Sequence, residues 1–283
     1  MLVTISSDNF TFSADSFGAE LHSVRLDGRE YLWQCGDAWK RYAPILFPFV
    51  CSPKDRAYRA DGKDYKMNAN HGFARDSEFA LSEQTDSSVS FVLTQNETTL
   101  AQYPYDFEFT VRYSVCGKSS VKVENIVRNT GSRTMYFYIG GHPAFNCPLE
   151  EGLSFEDYYV EYSVPEKLSD PAGNVVLDGK NVYPVTRALF DNDALILDAP
   201  NSDSISLKSH SSDRSVTVHF PEAGCIAVWS PTGDDRAAFV CLEPWTSVPV
   251  YADDEYPDIE KKPHAISLER GGSYSFSYVI EVN

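Results

Sequence analysis

Apolar and polar positions alternate with a period of two along most of this chain, the spacing of strands that bury one face and wet the other. Phe107, Phe109, Val111, Tyr113 and Val115 carry the pattern, Val89, Phe91 and Leu93 precede it, and Val121 and Val123 continue it beyond the Gly117-Lys118 turn. It returns at Tyr158, Val160, Tyr162 and Val164, at Val216, Val218 and Phe220, and at Tyr274, Phe276, Tyr278, Ile280 and Val282. Clusters such as Leu26-Asp27-Gly28-Arg29, Ala60-Asp61-Gly62-Lys63 and Arg270-Gly271-Gly272-Ser273 supply turns between strands. No segment of similar length has capped helical spacing. The prediction is an all-β fold, a large antiparallel β-sandwich with few short helices. Strand signals run evenly and no linker or shift in composition divides them, so one domain over residues 1–283 is expected. Residues 166–184, with Pro171, Gly173, Asp178 and Gly179, are the least patterned and read as a long surface loop.

Two runs break the alternation. Residues 238–242, Ala-Phe-Val-Cys-Leu, are apolar without interruption, which marks a strand buried on both faces, and Glu243-Pro244-Trp245 follows. A carboxylate there is expensive to ionise unless paired, which raises its pKa toward the range useful for proton transfer. Residues 135–139 are rich in aromatic and β-branched side chains and lead into Gly140-Gly141-His142-Pro143. Pro143 holds His142 in an extended backbone, so its imidazole is presented from a stiff strand end. The plain alternative is a core or surface histidine with a satisfied hydrogen bond.

Other residues offer ligand chemistry. Arg41, at the head of the proline-punctuated run 42–48, carries a fork that suits vicinal hydroxyls or a phosphate. Asn70-His71-Gly72-Phe73-Ala74-Arg75-Asp76 places an imidazole and a guanidinium close together; a turn histidine and a local ion pair are its ordinary explanation. Trp229 presents an aromatic face at a strand end, where core packing is the commoner role. Forked donors with an aromatic face suit a neutral polyhydroxylated ligand.

Composition narrows the classes. Seventeen Phe, 17 Tyr and a hydrophobic share of 42% supply a large core. A formal net charge of −17 repels phosphate backbones and anionic headgroups, so neither nucleic acid nor a membrane surface is expected as a partner. Screening confines that field to about 10 Å, so a local arginine cluster still accommodates a sugar phosphate. The six cysteines, Cys35, Cys51, Cys116, Cys147, Cys225 and Cys241, form no C-x-x-C and no zinc-type spacing with histidine, which predicts no metal site and no cofactor. With no signal-peptide pattern at Met1 and no apolar run approaching a membrane span, reduced thiols in the cytoplasm are expected, with Cys116 and Cys241 as core fillers.

Six motifs in order make the chain similar to the aldose 1-epimerase (galactose mutarotase-like) family across nearly its whole length. They are Gly18-Ala19-Glu20-Leu21, Arg41 with Ala43-Pro44-Ile45-Leu46-Phe47-Pro48 after it, His71-Gly72-Phe73-Ala74-Arg75-Asp76, Gly141-His142-Pro143-Ala144-Phe145-Asn146, Asn192-Asp193-Ala194-Leu195 and Leu242-Glu243-Pro244-Trp245. The resemblance implies a β-supersandwich holding a sugar in a concave cleft, with His142 as general acid and Glu243 as general base. It implies that His71 hydrogen-bonds the sugar and that Arg41, Asp193 and Trp229 contact hydroxyls or the ring face. The His-Gly-Phe-Ala-Arg form resembles the hexose-6-phosphate branch, which would give Arg75 a phosphate, whereas the residues after Trp39-Lys40-Arg41 lack that branch's Gly-Gly-Val-Pro. A free and a phosphorylated sugar both stay open. The expected activity is mutarotation; the alternatives are a non-catalytic carbohydrate-binding protein, or a glycoside hydrolase or lyase in which Asp193 partners Glu243.

Overall fold

In the computed structural model, residues 1–249 and 257–283 are described. Two antiparallel sheets dominate. The larger has nine strands in the order Val175–Pro184, Tyr158–Ser169, Ser204–Ser209, Ser212–His219, Ser273–Val282, Ser120–Asn129, Phe107–Val115, Ser88–Thr94 and Ala80–Gln84. The smaller runs Leu195–Asp198, Cys225–Trp229, Phe239–Trp245, Gly140–Gly141 and Ile45–Leu46, and Ala144–Asn146 also pairs with Phe239–Trp245. A four-stranded sheet over residues 2–30 packs on these. The α-helix Glu97–Leu100 is a single turn capped by Asn96, and the remaining helical pieces are short 3-10 turns.

The alternation produces this layering. Phe107, Phe109, Val111 and Tyr113 are wholly buried while the residues between them are half-exposed, and Phe276, Tyr278, Ile280 and Val282 point inward in the same way. Asp27 and Gly28, and again Asp61 and Gly62, both adopt positive φ, the type I′ geometry whose twist matches the flanking strands. One core cluster joins Phe109, Val123 and Tyr278 of the large sheet to Val228, Val240 and Leu242 of the small one.

Two expectations need correction. Residues 166–184 are not a loop: Tyr158–Ser169 and Val175–Pro184 form a long hairpin, turning where both carboxylate oxygens of Asp170 accept hydrogen bonds from Asn174. Its second strand is the sheet edge, with Val175 70% exposed and register shifts along the pairing, so no alternation marks it. Cys116 is exposed rather than a core filler, because the strand ends at Val115 before the turn. Cys241 is buried as expected.

Candidate active site

The strand Phe239–Trp245 is buried at all seven positions, as its apolar run requires. Its faces divide: Val240 and Leu242 enter the main core, whereas Phe239 and Cys241 join a second cluster with Ala144, Trp33, Trp39 and Trp229. Glu243 lies on the same face as Cys241, since side chains two apart on a strand share a face. Across the strand, Gly140 pairs with Trp245 and Ala144 with Cys241, a register that sets His142 opposite Glu243. The Leu242 N–H donates to the Pro143 carbonyl at 3.2 Å and the His142 N–H to that of Pro44 at 3.0 Å, fixing the histidine backbone on both sides.

The side chains of this cross-strand pair meet. His142 Nε2 lies 3.3 Å from Glu243 Oε2, with the residues 7% and 1% exposed. Among the described residues, neither Glu243 Oε2 nor His142 Nδ1 has a hydrogen-bond partner of proper geometry, although both atoms are buried. Burial disfavours both charges: it holds the His142 imidazole well below its ordinary pKa, helped by His71, and pushes the Glu243 carboxyl well above its own, helped by the Asp193 charge. Each shift favours the uncharged form of its group.

Gly140-Gly141 allows the approach of the strands. A Cβ at Gly140 would lie 2.5 Å from Trp245 Cδ1, and one at Gly141 2.3 Å from the Tyr278 hydroxyl. What the run 135–139 forms is shorter than one strand: Met135–Phe137 pairs with Ile266–Leu268, and the chain then steps into the small sheet at Gly140.

An open cleft of about 340 Å³ sits over the pair, lined by Trp39, Cys51, Asn70, His71, Arg75, His142, Asp193, Ala194, Trp229, Glu243 and Trp245. His71 stands edge-on to His142 at 5.6 Å between ring centroids. Its Nδ1 accepts the Cys51 N–H at 3.0 Å, and burial with the charges of Arg75 and Arg41 lowers its pKa to about 3, so the neutral ring carries its proton on Nε2 as a donor. Holding this ring requires left-handed backbone: His71, Cys51 and Asp193 have φ of +62°, +54° and +83°. Non-glycine residues in that region are strained, and such residues cluster at functional sites.

The arginines occupy different layers. Arg75, in the turn Ala74–Asp76, lines the cleft, and its buried Nε has no hydrogen-bond partner. Arg41 stands behind it, donating to the Arg75 carbonyl at 3.1 Å and to Asp76 Oδ1 at 2.7 Å, and is not among the cleft-lining residues. It braces Arg75, and its charge reaches His71 and His142. Glu20 in turn accepts the N–H groups of Tyr42 and Ala43 at 2.8 and 3.0 Å, anchoring the segment that carries Arg41.

Five cleft-lining residues, Trp39, Cys51, Asn70, Ala194 and Trp245, were not among the predicted site residues, and two of them act directly on the histidines. Trp39 stacks on His142 at 5.1 Å and 23° and meets Trp229 edge-on, while Trp229 meets His142 at 79°. The place of Trp39 two residues before Arg41, just ahead of a family motif, was the available signal. Cys51 supplies the N–H that orients His71, and nothing in its own surroundings in the sequence marked it.

The aldose 1-epimerase family model matches residues 1–281. The chain belongs to the aldose 1-epimerase family. Among family relatives, Protein LacX, plasmid form, of Lactococcus lactis subsp. lactis is 34% identical, with 95% of each chain covered. The solved structure of a galactose mutarotase related enzyme from Lactobacillus acidophilus is 30% identical with a TM-score of 0.91, covering 100% of this chain and 97% of that one. A galactose mutarotase-like protein from Lactobacillus casei ATCC 334 is 31% identical with a TM-score of 0.89 and full coverage of both chains. The fold of this aldose 1-epimerase family member is thus galactose mutarotase-like, as its motifs implied, and among the described residues no helix is long and apolar enough to cross a membrane.

Proposed function

We propose that this protein interconverts the α and β anomers of a hexose, with Glu243 as general base and His142 as general acid. The observation that carries the proposal is the buried 3.3 Å approach of His142 Nε2 to Glu243 Oε2 at the floor of an open cleft. The pair holds one proton, and a sugar entering above it separates the two groups. With the proton on His142, the Glu243 carboxylate takes the anomeric hydroxyl proton while His142 gives its own to the ring oxygen, and the C1–O5 bond breaks to leave the free aldehyde. Rotation about C1–C2 presents the other carbonyl face. Reclosure returns a proton to the anomeric oxygen from Glu243 and one from the ring hydroxyl to His142, so the proton count is restored each turn. A positioned acid and base each supply about 10²–10⁴ in rate.

The other cleft residues fit this assignment. His71 Nε2 donates to the sugar, and Trp39 and Trp229 offer aromatic faces to its apolar side. Arg75 and Asp193 take the remaining polar groups, with Arg41 acting through Arg75. Anomer exchange measured by NMR at equilibrium with glucose, galactose and glucose 6-phosphate tests the proposal. Faster exchange with one of them is expected, and the preferred sugar identifies whether Arg75 holds a hydroxyl or a phosphate. Saturable binding with unchanged exchange would instead select a carbohydrate-binding protein, and release of reducing ends from an oligosaccharide would select a hydrolase.

A further inference from the structure

Beneath the floor of the cleft, in the aromatic cluster, lies a third polar group that anomer interconversion does not use. Cys241 Sγ, a ring nitrogen of His142 and a carboxylate oxygen of Glu243 all lie within 4.8 Å of one another, and all three residues are buried. Strand geometry brings them together: Cys241 and Glu243 share one face of Phe239–Trp245, and His142 projects from the strand paired beside it. Because the histidine comes from about a hundred residues away, this cluster has no spacing signature in the sequence.

We propose that His142, Cys241 and Glu243 form a binding site for a thiophilic divalent cation, represented by zinc(II), and that the bound cation shuts the cleft to sugar. Three observations support the site. The 3.3 Å between His142 Nε2 and Glu243 Oε2 matches the edge of a tetrahedron, about 3.3 Å, for bonds of about 2.0 Å to zinc. Glu243 Oε2 is buried and, among the described residues, has no hydrogen-bond partner of proper geometry, so a cation would replace only its contact with His142 Nε2. Sulfur, nitrogen and oxygen together suit zinc rather than the all-oxygen shells of magnesium or calcium. In a tetrahedral zinc site the sulfur stands about 3.5 Å from the nitrogen and oxygen, inside the 4.8 Å that encloses the three donors here.

Zinc(II) bound to thiolate, carboxylate and neutral imidazole is neutral, so an occupied site buries no isolated charge. The fourth ligand position faces the cleft, where water completes it. Metal and sugar use the same groups on His142 and Glu243, so they exclude one another.

Cobalt(II) titration of the full-length protein, followed by absorption, tests the site independently of any anomer-exchange activity. Wild-type protein is expected to develop a thiolate-to-cobalt charge-transfer band that zinc(II) removes, and Cys225→Ser, which alters another buried thiol, should keep it. Cys241→Ser and His142→Asn, with folding checked by circular dichroism, should lose the band and bind zinc(II) at least tenfold more weakly. Absence of the band from wild-type protein, or an equal band in Cys241→Ser, would overturn the proposal. If the NMR assay detects mutarotase activity, zinc(II) should inhibit it competitively and Cys241→Ser should relieve that inhibition; inhibition equal in both proteins would place the cation elsewhere.

Discussion

In the proposed mechanism His142 and Glu243 take different roles, and burial moves their pKa values in opposite directions. An isolated imidazole loses half its proton at about pH 6.5 and an isolated carboxyl at about 4.3. Here His142 is held below and Glu243 above those values. The pair gains its second proton only at a pH below the ordinary imidazole value and loses its last only above the ordinary carboxyl value. The low-pH limb of kcat/KM should thus lie below the ordinary imidazole value, and a fall with a midpoint at about 6.5 would show an unperturbed histidine instead. Trp39, stacked on the same imidazole, shields it from water and offers its ring face to the imidazolium formed during turnover. Trp39→Leu should lower kcat about tenfold, corresponding to the roughly 1–2 kcal/mol of such a contact, with a smaller effect on KM, measured by steady-state kinetics. An effect on KM alone would restrict Trp39 to binding sugar.

Pairing between elements, more than any single strand, sets this geometry. The register of Gly140 with Trp245 and of Ala144 with Cys241 makes His142 and Glu243 neighbours, and a slip of one residue would turn Glu243 into the core. Gly72 plays a similar part at the cleft wall. It bridges to Phe47 with φ of +75°, and a Cβ there would lie 2.0 Å from the Phe47 carbonyl oxygen. Gly72→Ala should destabilise the fold by about 3 kcal/mol from strain and overlap together, read from chemical denaturation, whereas a change below 1 kcal/mol would mean that the wall relaxes at little cost. The strands were legible where one face is buried, as at residues 107–115 and 273–282. The edge strand Val175–Pro184 was not, because most of its side chains meet solvent. Glu243 was legible as a carboxylate ending a buried run, but its contact with His142 was not, since register between distant segments is fixed by the whole sheet.

At the scale of the whole molecule, the two sheets share one core, and the strand Phe239–Trp245 is wedged between that core and the aromatic cluster under the cleft. We propose that residues 1–283 form one folding unit, so circular dichroism and tryptophan fluorescence should report one coincident unfolding transition; two separated transitions would divide the chain. The motifs revealed the family because they lie where the sheets meet the cleft, and several serve as support: Glu20 anchors the segment bearing Arg41, and Arg41 braces Arg75. Such supporting roles were invisible in the sequence, which marks a charged side chain without saying which partner takes it. The account depends on His142 and Glu243 acting as one acid–base unit. Its most direct test is anomer exchange by NMR, on the sugar the wild-type protein prefers, with Glu243→Gln, His142→Asn and the double variant. Each single variant should stay folded and lose about 10²–10⁴ in rate, and the double variant should lose little more than the worse single one. Exchange at the wild-type rate in either single variant would contradict the account.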